Sequence, residues 1–177
     1  MSDITLHLGQ TLWFSSDPMI DGPNAAHHDS RGGIAVQDGH VLARGTADDL
    51  RREFPHAVME DHGQALILPG FIDAHVHYPQ TAMIASWGKR LIDWLNTYTF
   101  PEEMRFGDPD YATEIAGRYM DLALSHGTTT MCSYCTIHPE SVDAYFTAAA
   151  ARGMRVLGGK TCMDRNAPDG LLDTAQL

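Results

Sequence analysis

Two histidines, His75 and His77, close the run Leu68-Pro69-Gly70-Phe71-Ile72-Asp73-Ala74-His75-Val76-His77. The run reads as a β-strand. Alternate side chains of a strand share a face, so Phe71, Asp73, His75 and His77 are expected on one side and Ile72, Ala74 and Val76 on the other. Two imidazoles on one face at a strand end can close on a single metal ion. A bare H-x-H pair also serves as two hydrogen-bonding histidines; the apolar Pro-Gly-Phe-Ile-Asp lead-in favours the metal. Asp73, on the same expected face, has two readings. It can orient a ligating imidazole from behind, or it can make a structural hydrogen bond nearer the strand's middle.

No other histidine has a comparable context. His27 and His28 sit in an N-terminal polar stretch, and His7 and His62 belong to a β-rich portion. His126 ends a helix, where the helix dipole favours an imidazolium. His138 follows a strand and is a candidate for a pocket rim. Cys132-Ser133-Tyr134-Cys135 has C-x2-C spacing, but three residues along a strand send the thiols to opposite faces. No second pair completes four ligands, so both are read as packing or strand-end residues. The zinc nucleobase deaminases with H-x-E and P-C-x-x-C motifs are disfavoured: His75 is followed two residues later by His77, and Met131 precedes Cys132.

The elements that must position the pair fall into two stretches. Residues 1–65 look β-rich. Ile4–Leu8 and Thr11–Phe14 read as strand pieces around Gly9, and Pro18–Gly33 reads as a surface loop. Gly33–Gln37 and His40–Arg44 flank Asp38-Gly39, a strong hairpin signal. Thr46 is placed to cap a short helix through Phe54, Pro55 ends it, and Ala57–Glu60 returns as a strand. From Leu66 onward strands and helices alternate, as in a parallel sheet. The expected order is strand Leu66–His77, helix Ser86–Thr97, helix Pro109–Ser125, strand Thr128–Tyr134, helix Pro139–Arg152 and strand Arg155–Met163. The apolar stripe of the second helix is expected to be Ile115, Tyr119, Leu122 and Ala123.

Twenty-three acidic against twelve basic residues give a formal charge of -11 without a Lys/Arg cluster. That balance argues against nucleic acid and anionic membranes as partners. No run approaches the roughly 20 apolar residues of a membrane span. The N-terminus shows no signal-peptide pattern, and three cysteines build no even disulfide framework. A reducing, cytoplasmic setting is the default expectation.

The Leu68–His77 run resembles the first barrel strand of the amidohydrolase superfamily of metal-dependent hydrolases. His77-Tyr78-Pro79-Gln80-Thr81, Trp94–Pro101, Gly127-Thr128-Thr129-Thr130 and Met163–Asp169 are similar, in order and spacing, to segments of its guanine deaminase branch. Pro79 stands where the hydantoinase and dihydroorotase branch tends to place arginine. The resemblance covers essentially the whole chain, but only the N-terminal portion of that family.

The resemblance implies an α/β fold. Residues 66–177 would form the first three strand–helix units of an incomplete TIM-like (β/α) barrel, preceded over 1–65 by part of a β-sandwich. A complete barrel needs roughly 250 residues, some about 200, more than this stretch offers. The implied reaction is hydrolysis of guanine to xanthine and ammonia. Zn²⁺ is the implied metal, held by His75 and His77, because imidazole suits zinc and hydrolysis needs a redox-silent Lewis acid. Gln80 matches the family glutamine that holds the purine; an amide both donates and accepts, and so can read a polar edge of guanine. Trp94 matches an aromatic segment beside the substrate, with helix core as the favoured alternative. The remaining ligands and the acid–base groups are expected beyond Leu177. The 177-residue chain alone is therefore expected to be inactive and, with an open sheet edge, to form homo-oligomers. The alternatives are an amidohydrolase acting on another nitrogen heterocycle, and a non-catalytic fragment that works by association.

Overall fold

A computed structural model describes residues 3–88 and 90–173. The chain divides into two units, Met1–Pro69 and Gly70–Leu177.

In the first unit, strands β1 (Thr5–Phe14), β2 (Ala26–Gln37), β3 (His40–Thr46) and β4 (Val58–Ile67) form one sheet in the order β3-β2-β1-β4. β1 runs antiparallel to β2 and parallel to β4. Alternation along β1 buries Leu6 and Leu8 against Ala35 and against Leu50 of helix α2 (Ala47–Glu53). Thr46 caps α2 by accepting the Asp49 N–H at 3.1 Å, and its hydroxyl donates back to the Asp49 carboxylate at 2.7 Å. The Asp38-Gly39 turn joins β2 to β3 with φ of 51° and 77°, the left-handed pair that a type I′ hairpin demands.

The polar stretch Pro18–Gly33 is not the loop that its composition suggests. It contains helix α1 (Pro18–Asp21), a 3-10 turn (Pro23–Ala25) and the first half of β2. Pairing of Ala26, His27, His28 and Asp29 with β1 supplies the ladder that overrides a turn-rich sequence.

In the second unit, β5 (Phe71–His77), β6 (Thr128–Tyr134) and β7 (Arg155–Gly159) make an all-parallel sheet in sequential order. Leu68, Pro69 and Gly70 lie outside any strand, so the expected strand Leu66–His77 is broken between β4 and β5. Gly70 fits closely here: a Cβ on it would lie 2.1 Å from Thr129 Oγ1. β7 ends at Gly159, short of the expected Met163.

The expected helix Ser86–Thr97 includes Lys89, which lies outside the described residues. What forms instead is α3 (Leu91–Trp94), a π-helical turn (Leu95–Thr99) and α4 (Phe100–Met104). Helices α5 (Pro109–Ser125) and α6 (Pro139–Ala151) connect the strands. Asp108 caps α5 by accepting the N–H groups of Asp110 and Tyr111. The buried stripe of α5 is Ala112, Ile115, Ala116, Tyr119 and Met120; Leu122, expected in it, is exposed. The core joins that stripe to Tyr78, Phe106, Met131, Cys135 and Tyr145. Tyr78 is fixed there at both ends: Ser133 Oγ accepts its backbone N–H at 3.0 Å, and its hydroxyl meets Ser141 Oγ at 2.9 Å. No described helix is long and apolar enough to cross a membrane.

Candidate functional site

His75 and His77 end β5 with their ring centroids 5.4 Å apart. His77 is the register partner of Tyr134 on β6, and the two rings stack at 4.8 Å. Tyr134 also meets the His75 ring edge-on at 5.5 Å, so one phenol ring contacts both imidazoles.

Asp73 does not share this arrangement. The β5–β6 register shifts between Asp73↔Met131 and Val76↔Ser133, three residues advancing against two. This bulge breaks the strict alternation that placed Asp73 with the histidines. Its carboxylate raises the Tyr119 phenol pKa, an effect second to that of burial. It also accepts the backbone N–H of His75 at 3.2 Å. Asp73 thus braces the H-x-H backbone.

Burial, and then the neighbouring charge of His75, hold the His77 imidazole below its ordinary pKa. Both causes favour the neutral ring, the form with a lone pair for a metal. The pair therefore fits a transition metal by ring proximity, and His77 also by its favoured neutral form.

After His77 the chain turns into a 3-10 segment, Tyr78–Met83, that carries Gln80. Burial of Tyr78 and Pro79 anchors its start, so Gln80 is presented beside the histidines. His75, His77, Gln80, Trp94 and Leu122 line one open cleft of about 450 Å³. That volume lies within the range of small-molecule sites, about 300–1,000 Å³. Trp94 is half-buried on the cleft wall, its indole N–H donating to the Ser86 carbonyl at 3.2 Å, and is not helix core. Leu122 reaches the same wall, which accounts for its exposure.

Glu103 was invisible in the sequence as a site residue. It sits on α4, only 7% exposed, and its carboxylate accepts the Gln80 side-chain N–H at 3.3 Å. Burial raises its pKa, and the Gln80 hydrogen bond partly opposes that rise. The signal available was a charged residue on the apolar side of a Phe-Pro-Glu-Glu helix start, which spacing alone does not single out. Among the described residues, His138 caps no backbone group with its side chain, lies against Gly107, and has a buried Nε2 without a hydrogen-bond partner. It is not among the cleft residues. Cys132 is exposed on β6, and Cys135 is buried just past the strand's end at Tyr134; Cys132, Cys135 and Cys162 are free thiols.

Residues 66–176 match the Amidohydrolase family, and residues 32–57 match the imidazolonepropionase-like composite domain of bacteria. The chain is 43% identical over 144 residues to guanine deaminase of Escherichia coli strain K12, covering 81% of this chain and 33% of that protein. The solved E. coli guanine deaminase superposes with a TM-score of 0.86 at 38% identity, over 96% of this chain and 40% of that one. Guanine deaminase from C. acetobutylicum, solved with guanine in its active site, superposes with a TM-score of 0.80 at 27% identity, over 97% and 39%. The chain thus spans about a third to two-fifths of the length of these relatives.

Proposed function

Because the chain belongs to the amidohydrolase family, we propose that the full-length protein is a zinc-dependent guanine deaminase, converting guanine and water to xanthine and ammonia. The observation that carries this reading is the meeting of His75, His77 and Gln80 in one cleft. Similarity to guanine deaminases at about 40% identity sets the chemistry expected of that cleft. In this reading the second unit is the first three strand–helix units of a (β/α)8 barrel, and the site lies at the C-terminal strand ends where such barrels place their chemistry. The first unit is the N-terminal part of a β-sandwich.

His75 and His77 hold the metal, with Tyr134 packing the rings and Asp73 fixing their backbone. Bound there, Zn²⁺ supplies Lewis acidity. Gln80 reads a polar edge of the purine, and Glu103 fixes the amide by accepting one of its two protons. Trp94 and Leu122 give the base an apolar wall that excludes water. This reading places the remaining ligands and the acid–base groups outside residues 1–177. The free thiols and the acidic surface suit a cytoplasmic setting.

The test is zinc content and guanine turnover of the full-length protein and of His77→Ala. Xanthine formation and the zinc equivalent held by His75 and His77 are both expected in the wild type and both lost in the variant. Turnover of another nitrogen heterocycle in place of guanine would leave the metal assignment standing and replace the substrate.

A further inference from the structure

We propose a second metal site, distinct from His75 and His77, formed by His7, Glu60 and His62 on the first unit's sheet. It takes a divalent first-row transition ion of the zinc type.

The strands bring the three side chains together. His7 on β1 is the direct register partner of Glu60 on β4, and the strands run parallel. Registered partners in a parallel pair share a face. Glu60 and His62 are two residues apart on β4, which puts His62 on that face as well. The opposite face carries Leu6 and Leu8 and is closed by Leu50. The trio therefore stands on the side of the sheet away from α2, with His7 partly buried and Glu60 and His62 exposed.

Distances favour a metal over a chance meeting of polar groups. His7 Nδ1 lies 3.2 Å from Glu60 Oε2 and 3.1 Å from His62 Nε2. One potential ligand atom from each residue lies within 4.8 Å of the others. Ligands about 2.0–2.1 Å from a tetrahedral zinc are about 3.3 Å from one another, close to both short separations. The His7 and His62 ring centroids lie 5.4 Å apart with 15° between the planes, and the nitrogens that face each other are the pair 3.1 Å apart.

Hydrogen bonding alone satisfies this arrangement poorly. Nδ1 of His7 carries either one proton or one lone pair. It cannot donate to Glu60 and accept from His62 at the same time. A cation between the three groups uses one lone pair from each. Two imidazoles and a carboxylate are a zinc-type donor set, softer than the all-oxygen sets that calcium and magnesium prefer. The ion would tie β1 to β4, whose regular pairing is interrupted just beyond, between Leu8 and Gln10.

The experiment is zinc titration by calorimetry on the 177-residue chain carrying His75→Ala and His77→Ala, alone and with His62→Ala or Glu60→Gln added. The double variant is expected to bind one equivalent, His62→Ala to abolish that binding, and Glu60→Gln to weaken it at least tenfold. Loaded with Cu²⁺, the double variant should show nitrogen hyperfine structure from two imidazoles. Absence of tight zinc in a folded double variant overturns the proposal. If circular dichroism shows that the double variant does not fold, His62→Ala in the otherwise native chain decides. It must lose one equivalent of zinc relative to the native chain, and unchanged stoichiometry and affinity overturn the site.

Discussion

Gln80, on the cleft wall, is joined to the buried Glu103 by a side-chain hydrogen bond. The glutamine side-chain N–H donates to the buried glutamate at 3.3 Å. The residue expected to read the substrate is thus oriented by one that sequence did not reveal.

Gln80→Ala should leave zinc bound and weaken guanine use. An unpaired polar edge of a buried base costs about 1–3 kcal/mol, or roughly 5- to 150-fold in kcat/KM. Steady-state kinetics on the full-length protein decide this. An unchanged kcat/KM returns Gln80 to a solvated loop role.

Glu103→Leu should raise KM for guanine more than it lowers kcat, because it frees the Gln80 amide without touching the reacting atoms. Glu103→Gln keeps an acceptor for that amide and should restore KM. Equal damage from both variants would point to packing instead.

The same residue sets a pH dependence of stability. Glu103 has a raised pKa when folded, so the folded protein holds this proton more tightly than the unfolded chain. The stability it contributes is complete below the unfolded glutamate pKa, about 4.3, and is lost as pH rises through the higher folded value. Glu103→Gln should therefore gain melting temperature relative to wild type as pH rises across that window. A difference in melting temperature that is flat with pH would show that the carboxyl titrates normally.

Gly70→Ala should destabilise the second unit. The added methyl meets Thr129 Oγ1 at 2.1 Å and Thr129 Cγ2 at 2.4 Å, and overpacking of this kind costs about 1–3 kcal/mol. The double variant Gly70→Ala with Thr129→Ser should recover part of the loss, since it removes Cγ2, one of the three crowded Thr129 atoms. Denaturant unfolding of both measures it.

The 177-residue chain should associate with itself. Parallel sheets normally bury both faces, yet Ile72 is 71% exposed and Leu157 54%. β7 pairs only with β6 among the described strands, and a free edge of this kind templates further pairing. Sedimentation velocity should show species heavier than a monomer, reduced by Leu157→Glu. A monomer at all concentrations rejects the expectation.

Local signals determined much by themselves. Asp38-Gly39 specified its hairpin, because few residues tolerate two successive positive φ values. Pro109 through Ser125 specified α5, because a proline start and an apolar 3.6-residue period leave little else. His75 and His77 were legible as neighbours because two residues along an unbroken strand return to one side. What depended on partners was hidden. Ala26–Asp29 became strand only because β1 was there to pair with them. Asp73 left the histidine face because β6 imposed a bulge that period-2 reasoning cannot see. The meeting of Glu103 with Gln80, and of His7 with Glu60 and His62, joins residues 23, 53 and 55 positions apart. Sequence spacing carries no distance information over such separations. Only the parallel pairing of β1 with β4 and the packing of α4 under the Gln80 turn bring those side chains within bonding range.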